Sequence, residues 1–254
     1  MNYETIRVRF DGQICFLRFN RPEADNTISE LMVRECAQVL EACEESVTVI
    51  VLEGSREVFC LGADFSEIHG RWKRKERTEP NPEPLYELWL KLTTGPYITI
   101  SHVRGRANAG GIGFIAASDI AIADDSAVFS LSELLFGLFP ACVLPFLIRR
   151  VGFQKAHYLT LTTAPVPARQ AREWGLIDAC ESESGSLVRR HLLRLRRLSK
   201  TGISSYKHYM SRLYDLPLRS ESEAVRANKE VFSDPHNLEG IFRYMEEGKF
   251  PWES

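Results

Sequence analysis

Thr5–Phe10 and Ile14–Phe19 alternate between apolar and polar residues or are rich in strand-forming ones, with Asp11-Gly12 between the two runs. A period of two predicts half-buried strands, and Asp-Gly is a preferred two-residue turn, so the chain opens on a β-hairpin that Arg21-Pro22 ends. Ile28, Leu31, Met32, Cys36, Val39, Leu40 and Cys43 then recur at helical spacing and predict an amphipathic helix. "VTVIVLEG" is a continuous apolar run stopped by Gly54, which reads as a strand. A helix is predicted over Pro84–Leu92, and strands over Ile98–Val103 and Ile120–Ala123. From Leu144 onward the pattern is helical, with breaks at Gly152, Pro165, Pro167, Gly175 and Gly202 and a short strand at Leu176–Ala179. Strands separated by helices predict crossover connections and a layered α/β core, on which the second half builds a helical region. No internal repeat is present.

Composition narrows the class. Lys and Arg number 32 against 34 Asp and Glu, so attraction to an anionic partner must come from local patches rather than overall basicity. The six cysteines (Cys15, Cys36, Cys43, Cys60, Cys142 and Cys180) form no C-x-x-C pair and sit mostly in apolar runs, as small buried hydrophobes of a reducing cytoplasm do. The start "MNYETIRVRF" lacks a basic segment followed by an apolar one, so no signal peptide is expected. No apolar run approaches the ~20 residues of a membrane span. A cytoplasmic protein is expected.

Two basic runs interrupt this pattern. Arg71, Lys73, Arg74, Lys75 and Arg77 lead into a Pro-rich stretch that reads as a solvated loop, a lid or an anionic docking surface. "RRHLLRLRR" (189–197) places charges on one helical face and leucines on the other, as a surface helix does.

The candidate chemistry lies in the glycines of "VRGRANAGGIGF" (103–114). Gly111-Ile112-Gly113-Phe114-Ile115-Ala116 fits a dinucleotide fingerprint. However, Asp124 follows Gly111 by only thirteen residues instead of ~20, which leaves little room for a helix and the next strand. The other use of such a stretch is a helix start whose free N–H groups and dipole hold an oxyanion. Ala109, Gly110 and Gly111 have little side chain to block an acyl group. "VFCLGADF" (58–65) is a second small-residue turn that also follows a strand. Two such turns, each giving one N–H to the same carbonyl oxygen, would hold a thioester enolate.

"FNRPEADNTIS", "FCLGADFSEI", "VRGRANAGGIGFIAASDIAIADDSAVFSLSELLFGLFP", "APVPARQAREWGLID" and "FSDPHNLEGI" follow one another in the order expected of the crotonase (enoyl-CoA hydratase/isomerase) superfamily, which this chain resembles over nearly its whole length. "EPLYELWLKLTTGPYITISHVRG", "SLSELLFGLFPACVLPFLIRR" and "GKFPWE" carry a closer resemblance to the enoyl-CoA-hydratase-like dehydratases of polyketide β-branching cassettes. The resemblance implies an α/β fold: a spiral of β-β-α units over residues 1–195, then a C-terminal helical region over 196–254 that serves trimerisation and covers the active site. A homotrimer or dimer of trimers is implied.

By the same resemblance the backbone N–H groups of Ala63 and Gly110 form the oxyanion hole, and Glu133 matches the later of two hydratase glutamates. The earlier one matches Gly113, which has no side chain. A lone glutamate can still run a syn elimination, taking the α-proton as carboxylate and protonating the departing hydroxyl as acid. Asn108, beside the oxyanion glycines, either orients the leaving hydroxyl or a water, or makes a structural turn contact.

The implied reaction dehydrates (S)-3-hydroxy-3-methylglutaryl to 3-methylglutaconyl, carried on the phosphopantetheine of an acyl carrier protein or on CoA, with no other cofactor. The acyl group ends in a carboxylate that needs a partner if buried. His69, Arg71, Lys73 and Tyr86 lie where a lid could close on it; each either meets that carboxylate or faces solvent. The cluster from Arg71 to Arg77 would meet the acidic carrier protein. The other cassette enzymes are implied partners; nucleic acid and membrane are not. Cys142 reads as packing, and His102, His157, His191, His208 and His236 show no metal-ligand spacing. Three other readings stand beside dehydration: the cassette decarboxylase, an enoyl-CoA hydratase/isomerase, and a non-catalytic acyl-carrier binding protein.

Overall fold

A computed structural model describes residues 3–74 and 79–253, so Lys75 and Arg77 of the basic cluster lie outside the described residues. The hairpin forms as β1 (Ile6–Asp11) and β2 (Ile14–Phe19), paired antiparallel with Asp11 opposite Ile14. β3 (Val49–Glu53), β5 (Ile98–Val103), β7 (Ile120–Asp124) and β10 (Ala179–Glu181) extend it into one six-stranded sheet of order β1-β2-β3-β5-β7-β10, parallel beyond the hairpin. Its inner face carries Leu17, Ile50, Leu52 and Val103 against Met32, Cys36 and Leu40 of α1 (Glu30–Ala42). The outer face buries Ile14, Val49, Val51, Ile100 and Ile122 under Leu187, Val188 and Leu192 of α8 (Ser184–Leu195). Burial on both faces explains why "VTVIVLE" is continuously apolar rather than alternating.

A second sheet, of order β4-β6-β8-β9, was not expected from periodicity. β4 (Val58–Cys60), β6 (Arg106–Asn108) and β8 (Val128–Ser130) are parallel neighbours; β9 (Val166–Pro167) pairs antiparallel at the edge. The chain alternates between the two sheets. β3 leads to β4 and then α2 (Phe65–Lys73); after α3 (Glu83–Thr94), β5 leads to β6 and then α4 (Gly110–Ala117). β7 leads to β8 and then a 3-10 turn, Glu133–Phe136. This repeat of large-sheet strand, small-sheet strand and helix is the β-β-α spiral that the motifs imply.

α5 (Leu144–Val151), α6 (Phe153–Thr162) and α7 (Ala168–Glu173) precede β10. The strand expected at Leu176–Ala179 forms instead at Ala179–Glu181. Leu176 and Ile177 are buried in the preceding turn, and Asp178 accepts the Ala121 N–H at 2.7 Å, which fixes the later residues against β7. After α8 come α9 (Lys200–Leu213), α10 (Leu216–Arg219), α11 (Glu221–Ser233) and α12 (Pro235–Glu247). All six cysteines are free, five buried and Cys180 half-buried. Among the described residues, no helix is long and apolar enough to cross a membrane.

Candidate active site

The parallel strands β4, β6 and β8 release their chains side by side at one edge of the small sheet: β4 into Gly62-Ala63, β6 into Ala109-Gly110, and β8 through Leu131-Ser132 into Glu133. Adjacency in the sheet thus assembles three segments far apart in sequence. Gly62 has φ 88°, and a Cβ there would lie 2.5 Å from the Ala109 Cβ and 3.0 Å from the Gly110 nitrogen. Only glycine allows the two turns to touch.

Ile28 donates to the Gly62 carbonyl at 2.7 Å and bridges Ala63 in parallel, a pattern that turns the Ala63 N–H away from Ile28. Gly110 opens α4, where the first N–H groups have no intrahelical acceptor. Ala109 is held at φ 51°, ψ −123°, a conformation L-residues rarely adopt and one concentrated at functional turns. Two backbone donors therefore stand at adjacent strand ends.

The first motif braces this edge. The Arg21 guanidinium donates to Asp64 at 2.8 Å and to the Thr27 carbonyl at 2.5 Å. Asp64 in turn caps α2 through the Glu67 N–H, and the Asn26 amide donates to the Val58 carbonyl at 3.1 Å. These side chains lock the backbone on either side of Ala63.

Glu133 is 9% exposed, and its Oε2 has no hydrogen-bond partner among the described residues. Burial pushes its carboxyl up to about 7, opposed only by its own backbone N–H, which favours the ionised form. A carboxyl that titrates near neutrality can serve as base and then as acid. Phe136 anchors this turn against Phe65, Tyr244 and Phe250 at ring distances of 5.3, 5.2 and 5.6 Å, so α2 and the C-terminal residues close over it.

At Gly113 the departure from the hydratase pattern has a physical cause. A Cβ there would lie 2.3, 2.5 and 2.8 Å from Cζ2, Cη2 and Cε2 of Trp89, on α3. The indole occupies the space a side chain would need. No local sequence signal marks Trp89, because its helix reads simply as amphipathic.

Asn108 donates to the Ser132 Oγ at 2.8 Å and accepts from the Ser130 Oγ at 2.8 Å. Of the two roles left open for it, the geometry contains the turn contact. The lid candidates separate. His69, Arg71 and Lys73 share α2. His69 and Lys73 meet Glu246 of α12 at 3.1 and 3.0 Å, and Arg71 is held by Glu30 and Glu67 at 2.7 and 2.6 Å. Tyr86 is fully buried on α3, its hydroxyl donating to the Pro217 carbonyl at 2.5 Å; it lies in the core rather than on a lid.

The dinucleotide reading fails on topology as well as spacing, since the strands flanking α4 belong to different sheets. Cys142 donates weakly to the Ala224 carbonyl at 3.6 Å, and burial pushes its thiol up to about 12, so it carries no thiolate. His102 is buried between Glu53 and Ser184, 2.9 Å from each. Among the described residues no group of three His, Cys, Asp or Glu side chains is placed to share a metal.

Residues 9–254 match the enoyl-CoA hydratase/isomerase family. The chain is 60% identical over 254 residues to the bacillaene synthase dehydratase PksH of Bacillus subtilis (strain 168), spanning 100% of this chain and 98% of that protein. It is 30% identical over 188 residues to the hydroxycinnamoyl-CoA hydratase-lyase of Pseudomonas fluorescens, covering 69% of this chain and 66% of that one. A crystal structure of the Bacillus subtilis pksH protein superposes with a TM-score of 0.97 at 60% identity, over 98% of this chain and 100% of that one. Methylmalonyl CoA decarboxylase superposes with a TM-score of 0.83 at 18% identity, over 100% of this chain and 99% of that one, and shares the fold alone. The spiral of alternating sheets and the match across nearly the whole length make the chain a member of the enoyl-CoA hydratase/isomerase family, and an enzyme of its hydratase and dehydratase (lyase) type.

Proposed function

We propose that the protein dehydrates (S)-3-hydroxy-3-methylglutaryl to 3-methylglutaconyl on an acyl carrier protein during polyketide β-branching. The observation that carries this reading is Glu133: one buried carboxyl, raised to about 7, beside two backbone donors, with the place of a second carboxyl filled by an indole. The Glu133 carboxylate takes the proton from C2, and the C2–H electrons move into the thioester as an enolate. The N–H groups of Ala63 and Gly110 stabilise that oxygen; such donors are worth ~3–4 kcal/mol each. Collapse of the enolate forms the C2=C3 bond and breaks the C3–O bond. Glu133 returns its proton to the departing oxygen, and one water leaves from the same face. The chemistry uses the thioester arm and no further cofactor.

The 60% identity to a bacillaene synthase dehydratase supports the polyketide setting and a carrier-bound substrate. Decarboxylation, the rival reading, generates its enolate without removing an α-proton and gives Glu133 no task. On this reading Lys73 and Arg74, at the C-terminal end of the helix that follows the oxyanion turn, meet the acidic carrier. Phe153, Tyr158 and Leu161 of α6 and Tyr206, Tyr209 and Leu213 of α9 are exposed apolar side chains that a homotrimer would cover.

Intact-mass measurement on a carrier protein loaded with 3-hydroxy-3-methylglutaryl tests the proposal. Loss of one water is expected, and an unchanged mass overturns it. Loss of carbon dioxide from 3-methylglutaconyl-carrier would assign the decarboxylase role instead.

A further inference from the structure

Trp89 is 1% exposed, yet its indole Nε1 has no hydrogen-bond partner among the described residues. Buried indole N–H groups ordinarily find an acceptor, so an unpartnered one is a donor awaiting a ligand or an uncompensated cost. Its position decides between the two. Gly110 and Gly113 are three residues apart on α4 and share one face, about 5–6 Å apart. The Gly110 N–H is the donor placed for the thioester oxygen, so the indole lying over Gly113 borders the same space one turn further along. The indole atoms nearest Gly113 are Cζ2, Cη2 and Cε2, so the six-membered ring packs on Gly113, and Nε1, bonded to Cε2, stands one bond beyond these contacts. Phe114 and Phe146 hold the ring edge-on at 5.8 Å each, which fixes its orientation.

We infer that the Trp89 indole N–H donates a hydrogen bond to the 3-hydroxyl oxygen of the acyl group, the oxygen that leaves as water. This rests on the dehydration reading above. An indole is a donor only and neither takes nor gives the proton in this reaction. It therefore suits an oxygen with two lone pairs, one accepting from Trp89 and the other receiving the proton from Glu133. As the C3–O bond breaks, negative charge grows on that oxygen and the bond from the indole strengthens, so the donor acts most in the transition state. The ring thus supplies orientation and charge stabilisation, while Glu133 performs both proton transfers.

Trp89→Phe keeps an aromatic ring between Phe114 and Phe146 but removes the N–H. Turnover of carrier-bound 3-hydroxy-3-methylglutaryl is expected to fall about a hundredfold, with a much smaller change in KM and little change in melting temperature. A space-filling role predicts the reverse: retained turnover and a lowered melting temperature.

A direct readout uses Glu133→Gln enzyme labelled with ¹⁵N-tryptophan, in which the Trp89 indole signal is identified by its loss in the Trp89→Phe/Glu133→Gln double variant. Carrier-bound 3-hydroxy-3-methylglutaryl is expected to shift that proton downfield, and carrier-bound 3-methylglutaryl, which lacks the hydroxyl, is not. An unmoved Trp89 signal while other signals respond to the hydroxylated ligand, or an equal shift with both ligands, overturns the inference. A wild-type enzyme that releases no water from the hydroxylated substrate overturns the dehydration reading, in a measurement separate from the indole signal, and the inference falls with it.

Discussion

The side-chain amide of Asn108 donates to the Ser132 hydroxyl at 2.8 Å, tying the last residue of β6 to the residue that precedes Glu133. Ser130 completes the tie by donating to the other end of the same amide, and the Ala109 N–H donates to the Ser130 carbonyl at 3.1 Å. The turn that presents Gly110 and the turn that presents Glu133 therefore move as one body. This gives a physical meaning to a polar residue beside the glycines: it sets the distance between the Gly110 turn and Glu133, the donor and the base of the proposed mechanism.

Asn108→Ala should therefore cost far more in turnover than in stability. Loss of two neutral hydrogen bonds is worth about 1–3 kcal/mol of folding free energy, whereas a displacement of about 1 Å at the base can cost about a hundredfold in rate. If Asn108 acts through Ser132, the rate losses of Asn108→Ala and Ser132→Ala will not add in the double variant. Additive losses would instead favour direct contact of Asn108 with the leaving group. Steady-state kinetics on the four proteins of the cycle decides it.

The long elements were legible because their burial is regular. The hairpin, α1, β3, α3 and β5 appear within about two residues of the ranges their periodicity predicts. The small sheet was not legible: β4, β6 and β8 are three residues each, too short to show alternation, and pairing between distant segments holds them. Those strands are what bring the site together. Ala63, Gly110 and Glu133 could be singled out by motif likeness, but their adjacency is a property of the sheet. Trp89 carried no signal, since a buried tryptophan on an amphipathic helix reads as core until the atoms over Gly113 are known. Tyr86, one turn earlier on the same helix, went the other way: its place along the chain suggested a lid, and the fold spends its hydroxyl on the Pro217 carbonyl.

Glu133 ties activity to pH with a definite sign. Its carboxyl is raised by burial to about 7, and in the proposed mechanism the base form starts the reaction, so kcat/KM should rise with pH through about 7 and level off above it. A pH–rate profile flat from 5.5 to 8.5 would remove Glu133 as the base. Glu133→Gln should lower turnover by several orders of magnitude without unfolding the protein.

The same group makes an opposite demand on stability. Its folded-state pKa lies above its unfolded value, so its contribution is fully present below about 4.5 and is lost as pH rises to about 7 and beyond. The loss is on the order of 3 kcal/mol at most. Glu133→Gln cannot ionise, so relative to wild type it should gain stability between pH 5 and 8. Urea unfolding of both proteins at pH 5 and pH 8 measures this, and a difference independent of pH would contradict it.

Lys207 of α9 is 5% exposed, and its Nζ lies 2.7 Å from Asp119 Oδ2 and 3.1 and 2.9 Å from the carbonyls of Leu92 and Tyr97. Burial lowers its pKa, opposed by the Asp119 carboxylate. It ties the C-terminal helices to the end of α3 and the start of β7. Lys207→Met strands Asp119 with its charge and should cost about 3–5 kcal/mol in denaturant unfolding. Adding Asp119→Asn should recover part of that loss. Equal stability of the single and double variants would mean that the charge of Asp119 is not what Lys207 compensates.

Gly113 and Trp89 set a limit on redesign toward a two-glutamate hydratase. A Cβ at position 113 meets the indole at 2.3 Å, closer than any real contact, and Phe114 and Phe146 prevent the ring from retreating freely. Gly113→Ala should destabilise by about 1–3 kcal/mol through overpacking, and Gly113→Glu by more, because it adds a buried carboxylate to the clash. Trp89→Leu combined with Gly113→Ala should regain part of the loss, since the smaller side chain vacates the contested volume. Thermal unfolding of these three variants and of Trp89→Leu alone makes the comparison. If Gly113→Ala melts with the wild type, the indole is not held against α4, and the absence of a second carboxyl here needs a cause other than space.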